Sequence, residues 1–201
     1  MPTIGLTGNF GMGKTTVLKL FEKHGLCAFS SDDFVHDILK KPAIIRKLSR
    51  ILGSKVLIKG AHSLSINKKV VADEIFADAE KRRLVESVIH PEVLKSINKI
   101  KNTVSKKSCD SIMVFEVPLL FEAGFESLFD INITVYSKRD TAIRRLSRKG
   151  WEKTDAIKRI RAQMPITIKK RLSDFLINNE RDISSTEKRV QQIIRKLRNL
   201  T

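Results

Sequence analysis

The stretch Gly8-Asn9-Phe10-Gly11-Met12-Gly13-Lys14-Thr15 constrains this chain more than any other, because it meets every required position of the G-x-x-x-x-G-K-[ST] phosphate-binding loop. Consecutive backbone N–H groups can wrap a polyphosphate only where the chain turns tightly. Glycines at 8, 11 and 13 allow that turn and a close approach of backbone to anion. Gly8, Gly11, Met12 and Gly13 are therefore assigned to the nucleotide, with Lys14 reaching the β- and γ-phosphates. The Thr15 hydroxyl is placed to ligate Mg²⁺, and Thr16 follows as a further donor. ATP and Mg²⁺ are the expected cofactors.

The flanks suit such a loop. Thr3-Ile4-Gly5-Leu6-Thr7 reads as a short strand, and Val17, Leu20, Phe21 and His24 share one helical face before Gly25. Further strands are expected at Leu26-Cys27-Ala28-Phe29-Ser30, at 112–117, at 131–136 and at 175–178, giving five in all. They alternate with helical patterns, which predicts an α/β fold of the P-loop NTPase type: a parallel five-stranded sheet flanked by helices. Residues 42–52 and 67–103 read as helical, separated by a 53–65 loop, and Pro91 is expected to end or kink the second stretch. Ser184-Ser185-Thr186-Glu187 reads as the capping box of a terminal amphipathic helix. At 201 residues a single domain is expected. Its core comprises 1–41, 108–137 and 174–201, a helical substrate-binding insertion spans about 42–105, and a lid spans about 138–172.

The formal net charge of +17 is compatible with nucleic acid, an anionic surface or acidic small molecules, and does not choose among them. The basic residues are spread along the chain, so most read as solvated helix faces. No apolar run is long enough for a membrane span and no secretory signal pattern opens the chain. Cys27 and Cys109 have neither metal-ligand spacing nor a disulfide framework, and Cys27 is expected as a buried thiol. A cytoplasmic protein acting on small molecules, without nucleic-acid or membrane partners, is expected.

Chemistry beyond the loop starts with Ser31-Asp32-Asp33, at the carboxyl end of the second strand, where ligands bind in open α/β sheets. Asp32 suits a general base that takes the proton of a substrate hydroxyl; an ordinary helix N-terminus is the competing reading. Glu116, near the end of a buried strand, either holds magnesium water or pairs with a neighbouring cation. Arg145 and Arg148, three apart, either stabilise a transferring phosphoryl group from a closing lid or decorate a basic helix. His90 precedes a proline inside a helical pattern, where a structural role competes with a functional one.

Taken together, these residues resemble the dephospho-CoA kinase family. The resemblance rests on Gly5-Leu6-Thr7-Gly8 leading into the loop, Asp32 in the second aspartate position of a D-A-D segment, Ile75-Phe76, and Ile89-His90-Pro91. It continues through Val117-Pro118-Leu119-Leu120-Phe121-Glu122, Arg145-Leu146-Ser147-Arg148, Gln163-Met164-Pro165 and 173–179, nearly the whole chain. It implies ATP-dependent phosphorylation of the ribose 3′-hydroxyl of dephospho-CoA. Catalysis would fall to Asp32 as base, Lys14 and Arg145; Arg145 and Arg148 would meet the nucleotide phosphates; Asp32, His90, Pro118 and Leu119 would border the acceptor. The chain departs from the family pattern at Ser30, which replaces the first aspartate, at Lys68, where an arginine is usual, and at Asn9-Phe10, which replaces Gly-Ile.

Another P-loop nucleoside, nucleotide or shikimate-type kinase is the alternative, against which the His-Pro and Pro-Leu-Leu-Phe-Glu segments argue. A basic nucleic-acid-binding NTPase ranks last, since no N-K-x-D pattern follows the loop and aromatic residues make up only 6%, few platforms for stacked bases.

Overall fold

The computed structural model describes residues 1–59, 64–104 and 110–199. In chain order the elements are β1 (Thr3–Thr7), α1 (Lys14–Lys23), β2 (Leu26–Ser30), α2 (Ser31–Ile38), α3 (Pro42–Leu52), β3 (Leu57–Lys59), β4 (Leu64–Ile66), α4 (Lys68–Ala77) and α5 (Ala79–Thr103). There follow β5 (Asp110–Glu116), β6 (Ile131–Tyr136), α6 (Arg139–Ser147), α7 (Lys153–Arg161), α8 (Ile166–Leu172), β7 (Phe175–Asn178) and α9 (Ile183–Arg198). The chain divides into two compact units, Met1–Ser30 with Ser105–Thr201, and Ser31–Val104.

The first unit holds a five-stranded sheet in the order β2-β5-β1-β6-β7, with every pairing parallel. β1 is buried along its whole length, so its residues are apolar or small rather than alternating. Against the sheet pack Val17, Leu20 and Phe21 of α1 and Val190, Ile193, Ile194 and Leu197 of α9, the apolar stripes expected from the helical period. Burying a side chain such as Phe21 contributes roughly 1.5–3 kcal/mol. A second cluster joins Met12 of the phosphate loop to Ala142, Ile143 and Leu146 of α6 and to Ala156 and Ile160 of α7, with Phe10 and Trp151 packed on it.

In the second unit, α3 turns Ile44, Ile45, Leu48 and Leu52 inward and α5 turns Val85, Ile89, Val93 and Ile97 inward. Asn67 caps α4 through Val70 N, and Asp78 caps α5 through Glu80 N and Lys81 N, so the 67–103 stretch is two helices with a break at Asp78.

Three expectations need correction, and a fourth, at Pro91, is narrowed. The 53–65 stretch is no simple loop: β3 and β4 pair antiparallel, with Leu57 opposite Ile66. Of the two outcomes expected at Pro91, an end is excluded, because the proline lies inside α5, which continues to Thr103. The terminal helix is capped by Asp182, whose side chain accepts from Ser185 N at 2.8 Å, and it starts at Ile183, ahead of the expected serine box. Cys27 is only partly buried in β2 and is disulfide-bonded; Cys109 lies outside the described residues.

Candidate active site

β1 ends at Thr7 and the chain enters α1 at Lys14 through backbone with positive φ at Gly8 (146°), Gly11 (79°) and Gly13 (90°). A Cβ at position 8 would sit 2.2 Å from Val135 O, so no side chain fits there. Gly13 is the N-cap of α1 and supplies no side-chain cap, and the first turn carries no acidic residue. No side chain caps the leading amides of this ten-residue helix, an arrangement whose dipole favours an anion.

Lys14 is buried, and its Nζ reaches back to Asn9 O at 3.4 Å, folded under the loop. Thr15 Oγ1 donates to Glu116 Oε1 at 3.2 Å. The sheet brings this pair together, since Glu116 is in register with Leu6 of β1 and with Ser30 of β2. The carboxylate left open in the sequence therefore lies against the loop's own hydroxyl. Hydroxyl and carboxylate are hard oxygen donors, the set that Mg²⁺ takes alongside phosphate oxygens and water.

Arg145 comes to the same loop from α6. Its Nη2 donates to Asn179 O at 2.8 Å, while Nη1 is buried without a hydrogen-bond partner among the described residues and lies 3.7 Å from the point a Cβ on Gly13 would occupy. A guanidinium edge left unsatisfied next to a phosphate loop is poised for a phosphate oxygen. Arg148, by contrast, is the exposed C-cap of α6, and Thr16 is exposed in the first turn of α1. Pro118 and Leu119 are half-buried just past β5, and Pro118 O accepts from Thr7 Oγ1 at 3.1 Å.

Two residues with no role in the sequence reading shape this site. Asn179 donates from Nδ2 to Met12 O at 3.0 Å and accepts at Oδ1 from Thr186 Oγ1 at 3.1 Å, walling the loop. Its place directly after β7, at the carboxyl edge of the sheet, was the signal available for it. Lys169 of α8 is 0% exposed, and its Nζ lies 2.9 Å from both Pro118 O and Glu122 Oε1. Nothing in the run Lys169-Lys170-Arg171 marks one lysine as buried.

Asp32 and His90 belong to the second unit. Asp32 and Asp33 are exposed in the first turn of α2, where the helix dipole favours carboxylates. The chain leaves β2 at Ser30, in register with Glu116, two residues before Asp32. Lys68 Nζ, at the start of α4, lies 2.5 Å from His36 Nδ1 of α2. His90 is half-buried in α5; burial pushes its pKa down from 6.5, against the opposing pull of Glu86.

An uncapped helix start behind a glycine loop, a hydroxyl and carboxylate beneath it and an arginine beside it, all on a parallel sheet, define a P-loop phosphotransferase. The family model described as dephospho-CoA kinase matches residues 2–185. The chain belongs to the dephospho-CoA kinase family. It is 35% identical over 199 residues to the dephospho-CoA kinase of Carboxydothermus hydrogenoformans, covering 98% of this chain and 94% of that one. It is 31% identical over 198 residues to the dephospho-CoA kinase of Aquifex aeolicus, covering 98% of both chains. Among solved structures, a Thermus thermophilus protein matches with a TM-score of 0.83 and 25% identity, covering 100% of this chain and 98% of that one. No helix among the described residues is long and apolar enough to cross a membrane.

Proposed function

We propose that the protein transfers the γ-phosphoryl group of ATP to the ribose 3′-hydroxyl of dephospho-CoA, giving coenzyme A and ADP. The family match over residues 2–185 supports the substrates. The single observation carrying the reaction type is the Thr15–Glu116 contact at 3.2 Å beside the uncapped start of α1.

In this reading the amides of 11–15 hold the β- and γ-phosphates and Lys14 swings from Asn9 O onto the γ-phosphate. Arg145 spends its unsatisfied edge on the oxygens over which charge spreads as the phosphoryl group moves. Asp32 accepts the proton of the 3′-hydroxyl while that oxygen bonds to phosphorus and the bond from phosphorus to the β–γ bridging oxygen breaks. Arg148 meets the phosphates at the lid's edge, and His90, Pro118 and Leu119 border the acceptor. Thr15 would ligate Mg²⁺ directly and Glu116 through water; the ion supplies neutralisation of the polyphosphate. The helical 42–105 region serves as the acceptor-binding insertion and 138–172 as the lid. We place the enzyme in the cytoplasm, where ATP is abundant.

The test is ADP release by the purified chain with dephospho-CoA, nucleosides or shikimate as acceptor. Turnover is expected with dephospho-CoA alone; release with a nucleoside or shikimate and none with dephospho-CoA overturns the assignment.

A further inference from the structure

Lys169 is buried completely, and burial pushes its pKa down while Glu122 holds it up. An apolar side chain would fill the same volume without the cost of desolvating an ammonium. What the charge does is visible in its partners. Lys169 Nζ donates to Pro118 O and pairs with Glu122 Oε1, each at 2.9 Å. Glu122 Oε1 also accepts from Met164 N at 2.9 Å, in the turn between α7 and α8. Met164 O accepts from Asn9 Nδ2 at 3.1 Å, inside the phosphate loop. Pro118 O accepts in addition from Thr7 Oγ1 at 3.1 Å, two residues before Asn9. The contacts form a closed circuit that passes through the ammonium and returns to the loop. Beside it, Phe10 N donates to Gln163 Oε1 at 2.8 Å, a second tie between loop and turn.

We propose that Lys169 is a positioning residue for phosphoryl transfer: through Pro118 and Glu122 it holds the segment after β5 and the 162–165 turn in register with the first half of the phosphate loop. The inference rests on the reading above that Pro118 and Leu119 border the acceptor. Gly13, Lys14 and Thr15, which face the phosphates, make none of the circuit's bonds. Loss of Lys169 therefore leaves nucleotide binding in place and misaligns the donor with the acceptor.

The test compares Lys169→Met, Glu122→Gln and the double variant in the full chain, with kcat expressed per folded molecule and ADP affinity measured separately. Lys169→Met is expected to lower kcat about 100-fold, the scale of a misalignment near 1 Å, and to change the ADP Kd by less than about threefold. Glu122→Gln, which keeps an oxygen acceptor and removes the charge, is expected to lower kcat about tenfold. The double variant should lose no more than Lys169→Met, since both changes cut one circuit. A kcat within about twofold of wild type in folded Lys169→Met, or a double loss equal to the product of the single losses, overturns the proposal. Should Lys169→Met not fold, Glu122→Gln decides alone, and an unchanged kcat there overturns it.

Amide exchange at Met164, followed without substrates, separates this inference from the assignment of the reaction. Exchange there should quicken in both variants even if wild type fails to phosphorylate dephospho-CoA; undiminished protection overturns the circuit.

Discussion

The side-chain amide nitrogen of Asn179 lies 2.0 Å from the point where a Cβ on Gly13 would sit. Asn179 has no room to yield: Nδ2 is bonded to Met12 O, Oδ1 to Thr186 Oγ1 and its backbone N to Tyr136 O. Position 13 also has φ of 90°, strained for any L side chain. Gly13→Ala is thus expected to reshape the loop at the amides proposed to meet phosphate, lowering kcat/KM by about 100-fold or more, the scale of losing an aligned donor. ADP affinity and ADP release check this in a variant shown to be folded; activity within about tenfold of wild type rejects the steric account.

Thr15 and Glu116 give a prediction about the metal. Glu116→Gln keeps the shape and an oxygen for the Thr15 hydroxyl while removing the charge that would orient metal-bound water. The Mg²⁺ concentration for half-maximal rate should rise about 10-fold or more, as for other outer-shell carboxylates. A magnesium titration of initial rate reads it, and an unchanged midpoint removes Glu116 from the metal site.

Lys14 and Asp32 are expected to fail differently. Lys14→Ala abolishes phosphoryl transfer and weakens ATP binding, because the cation serves ground state and transition state alike. Asp32→Asn leaves ATP affinity little changed and lowers kcat about 10²–10⁴-fold, the range for a general base. Normal turnover in Asp32→Asn would exclude it as the base.

Acid titration probes the second unit. Lys41 and Lys95 hydrogen-bond Glu92 and hold its carboxyl down at about 2, against 4.5 for the free group. A depressed carboxylate contributes stability that is present above 4.5 and lost as pH falls toward about 2. His90, held below 6.5 by burial, likewise contributes stability above 6.5 that is lost as pH falls through its lowered value. Thermal denaturation across this range should show wild type converging on Glu92→Gln toward pH 2. A constant gap between the two rejects the ion-pair assignment.

The backbone of the glycine loop was legible because its information is local. Gly8, Gly13, Lys14 and Thr15 lie within eight consecutive residues, and the positive φ angles are those glycine alone adopts readily. The five strands were legible for the same reason, as short apolar runs between helical patterns. The β3–β4 pair was not, because the two strands span only three residues each and Ile58 and Leu64 are about half exposed, leaving little alternation to detect. Pro91 offered two outcomes, an end or a kink, and the first is not taken, since α5 runs from Ala79 to Thr103 with the proline inside it.

By itself the sequence determined the glycine turn of the loop, the parallel sheet and the family, each of which depends on residue types at set spacings along the chain. Tertiary structure alone decided that Glu116 answers Thr15 across 101 residues, that Asn179 closes on Met12 across 167, and that one lysine of a basic run is buried on Pro118 across 51. The reason is physical: a turn is encoded by the backbone freedom of neighbouring residues. The role of a buried polar side chain is decided by whichever distant groups the fold brings within hydrogen-bond reach.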